Sequence, residues 1–249
     1  MTRMGSAVQP EPEAAEMLWR YYGTLLRHLG PQRWWPARTR LEIIVGAILT
    51  QNTAWTNATL ALRRLRKAGL LNLERLERAS LAELENCVRP AGFYRQKALT
   101  IRRFVRWLAH TCGGSLTTLF ARPVQAVRLE LLKIRGLGPE TVDAILLYAG
   151  RRPVFVADAY ARRILARHQL VPATAGYAAV QQLMHRHLPA DPKLFNEYHA
   201  LLVEVGKRFC RRQRPDCRAC PLGAFLPQGS LVSVNSCKEA IAASCAAVG

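Results

Sequence analysis

The sequence has no long apolar run and no hydrophobic start. No segment reaches the ~18 uninterrupted apolar residues that a membrane span needs. Residues 1–16 are polar, include three glutamates, and lack the cationic start and apolar stretch of a secretory signal. We therefore predict a cytoplasmic protein. Apolar residues make up 50% of the 249 positions, so an ordered globular chain is expected.

Acidic residues are scarce. The chain has 17 Asp and Glu against 36 Lys and Arg, and its formal net charge is +19. An enzyme acting on neutral small molecules has no need for such an excess, so the charge predicts a polyanionic partner. A solvated basic surface, or a genome that favours arginine codons, is the alternative explanation.

Strand-like alternation, internal repeats and long linkers are nearly absent. Apolar residues instead recur at helical spacing, as at Leu41, Ile44, Val45 and Ile48. Short joints with Gly or Pro separate similar stretches, which predicts a compact all-α protein. Further helices are predicted at about 14–29, 56–68, 81–88, 95–111, 124–132, 140–149, 160–169, 177–187 and 194–209.

Two glycines, Gly136 and Gly138, lie in a turn between two helical patterns. Glycine accepts a positive φ and lets the backbone approach a ligand. Pro139 suits the first turn of the next helix, whose free N–H groups favour an anion such as a phosphate. An ordinary helix-turn-helix joint is the alternative. A Rossmann loop is disfavoured, because no strand precedes the turn and the third glycine is missing.

A single acid, Asp158, follows a short apolar stretch and precedes a helix that carries Arg162, Arg163 and Arg167. In this place its carboxylate could face bound DNA. It would stabilise the positive charge that develops on deoxyribose during N-glycosidic cleavage and would orient a water. A helix N-cap is the alternative. The separation of about twenty residues from Gly138 favours the catalytic interpretation.

Together these residues resemble the endonuclease III family of the helix-hairpin-helix DNA glycosylases. The hairpin has the form L-x-x-x-G-x-G-x-x-T, V-x-D follows it, and the resemblance runs from about residue 34 to 220. It implies two helical domains with the DNA cleft between them. The six-helix domain is predicted at 37–152, with the hairpin at 124–150. The terminal domain is predicted at 13–36 and 153–226, with a cysteine loop at 210–226. Residues 1–12 are predicted to be disordered and 227–249 poorly ordered.

The resemblance assigns Gly136, Gly138 and Thr141 to DNA phosphate binding and makes Asp158 the catalytic aspartate. Members that also cut the strand carry a lysine that forms an imine with the sugar, and Glu140 occupies that position here. A carboxylate cannot form an imine. The resemblance therefore implies a monofunctional enzyme that uses water and leaves an abasic site.

Aromatic residues near the start of the match look most like the bacterial 3-methyladenine glycosylases of this family. Trp34, Trp35, Pro36 and Trp55 are the candidates for the base pocket. An electron-rich indole face attracts a cationic alkylated purine that has been flipped out of the duplex. Core packing is the alternative for each tryptophan.

Three polar residues are also predicted to contact DNA by this resemblance. Gln51 matches the residue that fills the gap left by a flipped nucleotide, and Asn52 is expected to assist it. A buried capping amide is the alternative for Gln51. Lys97 follows a loop at 92–94 and is predicted to contact a phosphate, along with backbone amides of that loop.

Cys210, Cys217 and Cys220 reproduce the spacing of the first three ligands of the family's [4Fe-4S] loop. Leu226 stands where the fourth cysteine would fall. The fourth ligand of a cluster would then be Cys237, Cys245 or a non-cysteine group. The alternatives are a lost cluster and a zinc site with three thiolates. The role of a cluster would be structural, because glycosidic hydrolysis requires no electron transfer.

Three functions follow from these features. The first is a monomeric, monofunctional glycosylase that removes 3-methyladenine-like purines from double-stranded damaged DNA. The second is an endonuclease III-like glycosylase for oxidised or mismatched pyrimidines. The third is a non-catalytic iron-sulfur protein that binds DNA, which leaves Asp158 unexplained.

Overall fold

The computed structural model describes residues 11–227, and within them all regular structure is helical. The prediction of an all-α protein is confirmed. The helices are α1 (Glu11–Leu29), α2 (Arg40–Leu49), α3 (Trp55–Lys67), α4 (Leu73–Arg78), α5 (Leu81–Val88), α6 (Tyr94–Cys112), α7 (Leu116–Ala121), α8 (Val124–Leu132), α9 (Pro139–Ala144), α10 (Ala159–Arg167), α11 (Tyr177–His187) and α12 (Pro192–Arg208). A π-helical turn at Ile145–Ala149 extends α9, and short 3₁₀ turns lie at Arg89–Ala91 and Gly223–Phe225.

Side-chain caps begin five of these helices. Thr39, Asn72, Ser80, Ser115 and Asp158 each accept a hydrogen bond from the backbone N–H three residues later. Such a cap satisfies one of the amides that has no carbonyl partner inside the helix. The caps explain how helices as short as α4 and α7, which the periodicity did not predict, have defined starts.

One compact unit consists of residues 33–156 and 190–196. In it α3 packs on α5, α5 on α6, and α2 on the π-helical turn. Ile44, Ile48 and Phe104 are fully buried in its core. The short segment 190–196 groups here because Phe195 packs edge-on against Phe155, with ring centroids 5.7 Å apart.

Of the described residues, the other unit combines 11–32 with 157–189 and 197–227. Tyr21 and Tyr198 are buried in it. The Tyr198 hydroxyl donates to the Leu18 carbonyl at 2.8 Å, which ties α12 to α1. Distant segments of the sequence are thus joined in this unit, as the resemblance predicts.

Two predictions fall largely outside the described residues. Of the predicted disordered start at 1–12, only Glu11 and Pro12 are described, and they are the first two residues of α1. Of the predicted tail at 227–249, only residue 227 is described. Within the described range, no helix is long and apolar enough to span a bilayer.

Candidate active site

The turn between α8 and α9 requires glycine at position 136. Gly136 has φ +103°, and an added Cβ would lie 2.1 Å from Thr100 Oγ1 of α6. The Leu137 amide donates to the Ile134 carbonyl at 3.0 Å and closes the turn. The positive φ that the sequence predicted is therefore present at Gly136, and the turn is pressed against α6.

Gly138 serves a different purpose. Its φ of −92° and ψ of 172° are extended values that any residue adopts. An added Cβ would meet no atom within 4 Å, so the space beside Gly138 is open. Pro139 begins α9, as predicted. A ligand can approach the backbone here, next to the N–H groups of the first turn of α9.

The two polar residues that follow Pro139 differ in exposure. Glu140 is exposed in the first turn of α9, whereas Thr141 is buried. Thr141 Oγ1 accepts a hydrogen bond of 2.7 Å from Gln51 Nε2. The Thr141 hydroxyl therefore contacts the protein itself.

Gln51 lies in the turn after α2 and contacts the hairpin. Its Nε2 atom donates to the Gly136 carbonyl at 2.9 Å as well as to Thr141. The next residue, Asn52, is exposed and has φ +49°. The Gln51 amide is thus bonded within the protein, as the alternative interpretation expects. Asn52 is the more accessible of the two side chains.

Lys97 does not reach a phosphate, and this prediction is wrong. The residue is 3% exposed. Its Nζ atom donates to the carbonyls of Leu49 (2.9 Å) and Ala91 (2.7 Å). Burial lowers the pKa of Lys97 to about 8. Its role in this structure is to join the end of α2 to the turn before α6, because both carbonyls lie at ends of helical segments.

The turn before α6 contains a residue that the sequence analysis missed. Phe93 is 64% exposed and has φ +45°, directly after Gly92 with φ +66°. A non-glycine residue at positive φ is uncommon, and an exposed aromatic ring there gains little from the protein core. The Gly-aromatic pair in a turn was the available signal. Apolar side chains held in this way can wedge between stacked bases.

The predicted pocket tryptophans form one cluster. Trp34, Trp35 and Trp55 are half-buried, with ring centroids 4.9–5.4 Å apart. Tyr148, which the sequence analysis did not include, joins it at 5.3 Å from Trp35. Pro36 is exposed. Each of the three indoles keeps part of its surface exposed, so the cluster borders solvent.

Glycine at position 46 makes room for the cluster. An added Cβ on Gly46 of α2 would lie 3.1 Å from Trp35 Cζ2, which is tighter than ordinary contact. The cluster is therefore seated directly on α2, close to the turn that carries Gln51.

Asp158 is the N-cap of α10, which is the alternative role considered for this residue. Its Oδ1 atom accepts from the Ala161 amide at 2.8 Å. Its Oδ2 atom lies 3.5 Å from His199 Nε2 of α12. The residue is 8% exposed overall. Capping occupies one oxygen and fixes the orientation of the other, which is compatible with a catalytic role. His199 was missed because nothing local in the sequence links it to Asp158.

Cys210, Cys217 and Cys220 line a single cavity of about 310 Å³ including its open mouth. Burial raises the pKa of the Cys217 and Cys220 thiols. Leu226 and His168 line the same cavity. His168 is engaged elsewhere, since its Nδ1 atom bonds the Tyr21 hydroxyl at 2.8 Å.

The resemblance expects these three cysteines to be ligands of an iron-sulfur cluster, and they lie around one cavity. Each cysteine of a [4Fe-4S] cluster binds a different iron, so its thiolates spread more widely than ligands of one zinc ion. Within the described part of the chain, no three His, Cys, Asp or Glu side chains converge on a single ion. Leu226 has no donor atom, and Cys237 and Cys245 lie outside the described residues.

The cysteine loop is fastened to α10 by two arginines. Arg163 donates to the Cys210 carbonyl, and Arg167 to the carbonyls of Arg211 and Arg212. The guanidinium groups of Arg163 and Arg167, which follow Asp158 on α10, therefore bind the backbone of this loop.

Residues 45–190 match the family model described as HhH-GPD superfamily base excision DNA repair protein. The chain is 39% identical over 211 residues to a Methanocaldococcus jannaschii protein assigned as a DNA repair glycosylase, covering 84% of this chain and 96% of that relative. It is 27% identical to endonuclease III of Thermotoga maritima, over 72% of this chain and 78% of the relative. The matched range 45–190 contains both the hairpin and Asp158.

Two solved structures have similar folds. A trapped endonuclease III–DNA covalent intermediate aligns over 90% of this chain and 98% of its own, with TM-score 0.74 and 20% identity. The H. pylori 3-methyladenine DNA glycosylase bound to 1,N6-ethenoadenine aligns over 80% of this chain and 98% of its own, with TM-score 0.67 and 25% identity. At 20% identity, the first likeness concerns the fold alone.

Proposed function

The chain belongs to the HhH-GPD superfamily of base excision DNA repair proteins and is a DNA glycosylase of that type, and we propose that it is monofunctional and removes alkylated purines. In this proposal the enzyme flips a 3-methyladenine-like base out of double-stranded DNA and hydrolyses its N-glycosidic bond. The product is an abasic site in an uncut strand.

The observation that carries the choice of substrate is the cluster of Trp34, Trp35 and Trp55. Indole is the best aromatic partner for a cation, and three indole rings lie here with centroids within 5.4 Å of one another. Methylation at N3 gives an adenine nucleotide a positive charge, whereas oxidised pyrimidines are neutral. The likeness to a 3-methyladenine glycosylase supports the same class of lesion.

Exposed Glu140 supports the absence of strand cleavage. It stands in the first turn of α9, where the resemblance expects the imine-forming lysine. Lys97 is buried and bonded to two carbonyls, so it does not substitute for that lysine. Water is then the nucleophile.

Asp158 would carry the hydrolysis. As the glycosidic bond breaks, its electron pair leaves with the base, and the sugar gains oxocarbenium character that a carboxylate stabilises. A water oxygen then bonds to C1′, and the water proton passes to the carboxylate or the departing base. The cap to Ala161 holds Asp158 in one orientation.

A [4Fe-4S] cluster, if bound, would be held by Cys210, Cys217 and Cys220, with Cys237, Cys245 or a non-cysteine group as the fourth ligand. Its thiolate ligation would hold the cysteine loop in place and supply no step of the hydrolysis. Arg163 and Arg167 bind the backbone of the same loop.

Release of 3-methyladenine from methylated duplex DNA tests the proposal. We expect base release by the native protein and a loss of at least about a hundredfold in Asp158→Asn. Asparagine also caps helices, so the fold should be retained. Asp191→Asn is the matched control, because Asp191 accepts from the Lys193 amide at the start of α12 and is exposed.

Two results would overturn parts of the proposal. A covalent DNA adduct trapped by borohydride would contradict the monofunctional mechanism. Excision of oxidised pyrimidines, with methylated DNA left intact, would replace the substrate class while keeping the enzyme class.

A further inference from the structure

Both amide hydrogens of Gln51 are used on the hairpin. A side-chain amide nitrogen carries two donors, and Gln51 Nε2 is bonded to the Gly136 carbonyl and to Thr141 Oγ1 at 2.9 and 2.7 Å. A backbone carbonyl can only accept, so the nitrogen of the amide, rather than its oxygen, faces the hairpin. One side-chain nitrogen therefore donates to two different groups of the hairpin.

The two acceptors flank the open space at Gly138 along the chain. Gly136 belongs to the turn between α8 and α9, and Thr141 is the third residue of α9. Gln51 thus bonds both ends of the segment whose backbone faces the open space. Without the Gln51 side chain, the Gly136 carbonyl and the first turn of α9 could move independently.

The far end of this connection is itself hydrogen-bonded to a buried side chain. Gln51 follows α2 by two residues, and the last residue of that helix, Leu49, has its carbonyl bonded by the buried Lys97. Lys97 also bonds the Ala91 carbonyl ahead of Phe93. Two side chains therefore join three turns, those at 50–54, 92–93 and 133–138.

We infer that Gln51 is a positioning residue, which acts through Thr141 to hold the hairpin in its phosphate-binding conformation and leaves Asn52 to meet the DNA. The inference rests on the proposed function for its DNA-binding consequence. It departs from the expectation that Gln51 itself fills the gap in the duplex.

Amide hydrogen exchange in the absence of DNA tests the connection directly. We expect the amides of residues 136–141 to exchange about tenfold faster in Gln51→Ala and Thr141→Val. The double variant should exchange no faster than Gln51→Ala, because the two changes remove one shared contact. Thr141→Ser, which keeps the hydroxyl, should restore protection, and Asn52→Ala should not alter it. Unchanged exchange in Gln51→Ala would overturn the inference.

DNA binding then separates positioning from insertion. The probes are an undamaged duplex and the same duplex with one tetrahydrofuran abasic analogue. Positioning predicts that Gln51→Ala weakens binding to both duplexes equally and lowers the slope of log affinity against log salt by about 1. Insertion into the duplex predicts a loss confined to the abasic analogue, and that result would overturn the inference.

Single-turnover excision supplies the third measurement. If Gln51 positions the hairpin, Gln51→Ala should need a higher enzyme concentration than the native protein to reach half-maximal rate. Its rate at saturation should stay within about twofold of the native rate. A lower saturating rate with unchanged half-saturation would contradict positioning. If the native protein binds neither duplex, the proposed function fails, and hydrogen exchange still decides whether Gln51 holds the hairpin.

Discussion

The Nη1 atom of Arg167 lies 3.1 Å from the Sγ atom of Cys210. The same guanidinium bonds the carbonyls of Arg211 and Arg212, so one side chain of α10 contacts three groups of the cysteine loop. The planar fork of arginine reaches several acceptors at once, which the ammonium of lysine cannot reproduce.

Arg167→Lys should therefore loosen the cysteine loop. We expect the free energy of unfolding to fall by about 1–2 kcal/mol, and trypsin to cleave several-fold faster after Arg211, Arg212 and Arg218. Denaturant unfolding and timed proteolysis measure the two effects. Arg212→Lys, a change at an exposed arginine of the loop, is the control. Equal cleavage of both variants would show that Arg167 does not hold the loop.

Alanine at the two hairpin glycines should separate folding from binding. Gly136→Ala forces a Cβ to 2.1 Å from Thr100 Oγ1 at a positive φ, and we expect a loss of about 2–4 kcal/mol in the free energy of unfolding. Gly138→Ala adds a methyl to open space, so stability should change by less than about 0.5 kcal/mol. DNA affinity should nevertheless fall in Gly138→Ala, because the methyl occupies the approach to the backbone. Full affinity in that variant would place the phosphate elsewhere.

Phe93→Ala should leave stability nearly unchanged and weaken binding to a duplex with a missing base. The ring is mostly exposed, so its removal costs little buried area. A wedge between bases would be lost, and we expect about tenfold weaker binding to an abasic duplex. Fluorescence anisotropy measures this affinity. Leu129→Ala removes another exposed apolar side chain, on α8, and should have no such effect.

Stability should decline in mild acid because of His168. Burial lowers the pKa of His168 to about 4, and a backbone hydrogen bond to Phe225 opposes this shift. The unfolded chain binds a proton near pH 6.5 and the folded chain does not until about pH 4, so stability falls as pH drops through this window. We expect about 2 kcal/mol less stability at pH 5 than at pH 7.5 from this residue.

Replacing the imidazole isolates the contribution of His168. In His168→Gln the acid-dependent part of the loss should disappear, whatever the variant's stability at neutral pH. His110→Gln, at an exposed histidine of α6, should keep the native pH profile. If the stability of His168→Gln fell with pH as that of the native protein does, other groups would cause the decline.

The helical class was predictable because apolar spacing is a local property. Residues such as Ile44 and Ile48 share a buried face, and long helices like α6 have several turns in which the pattern repeats. The six-residue helices α4 and α7 offer less than two turns, so only their caps at Asn72 and Ser115 could have indicated them.

The motif-bearing residues were predictable, but their partners were not. Gly136 and Asp158 stand in recognisable spacing, whereas His199 meets Asp158 only through the packing of α12. Lys97 illustrates the same limit. The sequence predicts an exposed lysine after a loop, but the fold places two backbone carbonyls next to its ammonium group. Tertiary structure decides such cases.

The burial of Lys97 also makes it an internal reporter. The chain has only six lysines among its 36 basic residues, so an amine-reactive reagent has few targets. While the ammonium remains bonded to the Leu49 and Ala91 carbonyls, it should resist acylation. Its labelling rate would then measure how often the ends of α2 and the turn before α6 separate. Mass spectrometry of that one amine could follow local opening of the enzyme as it engages DNA.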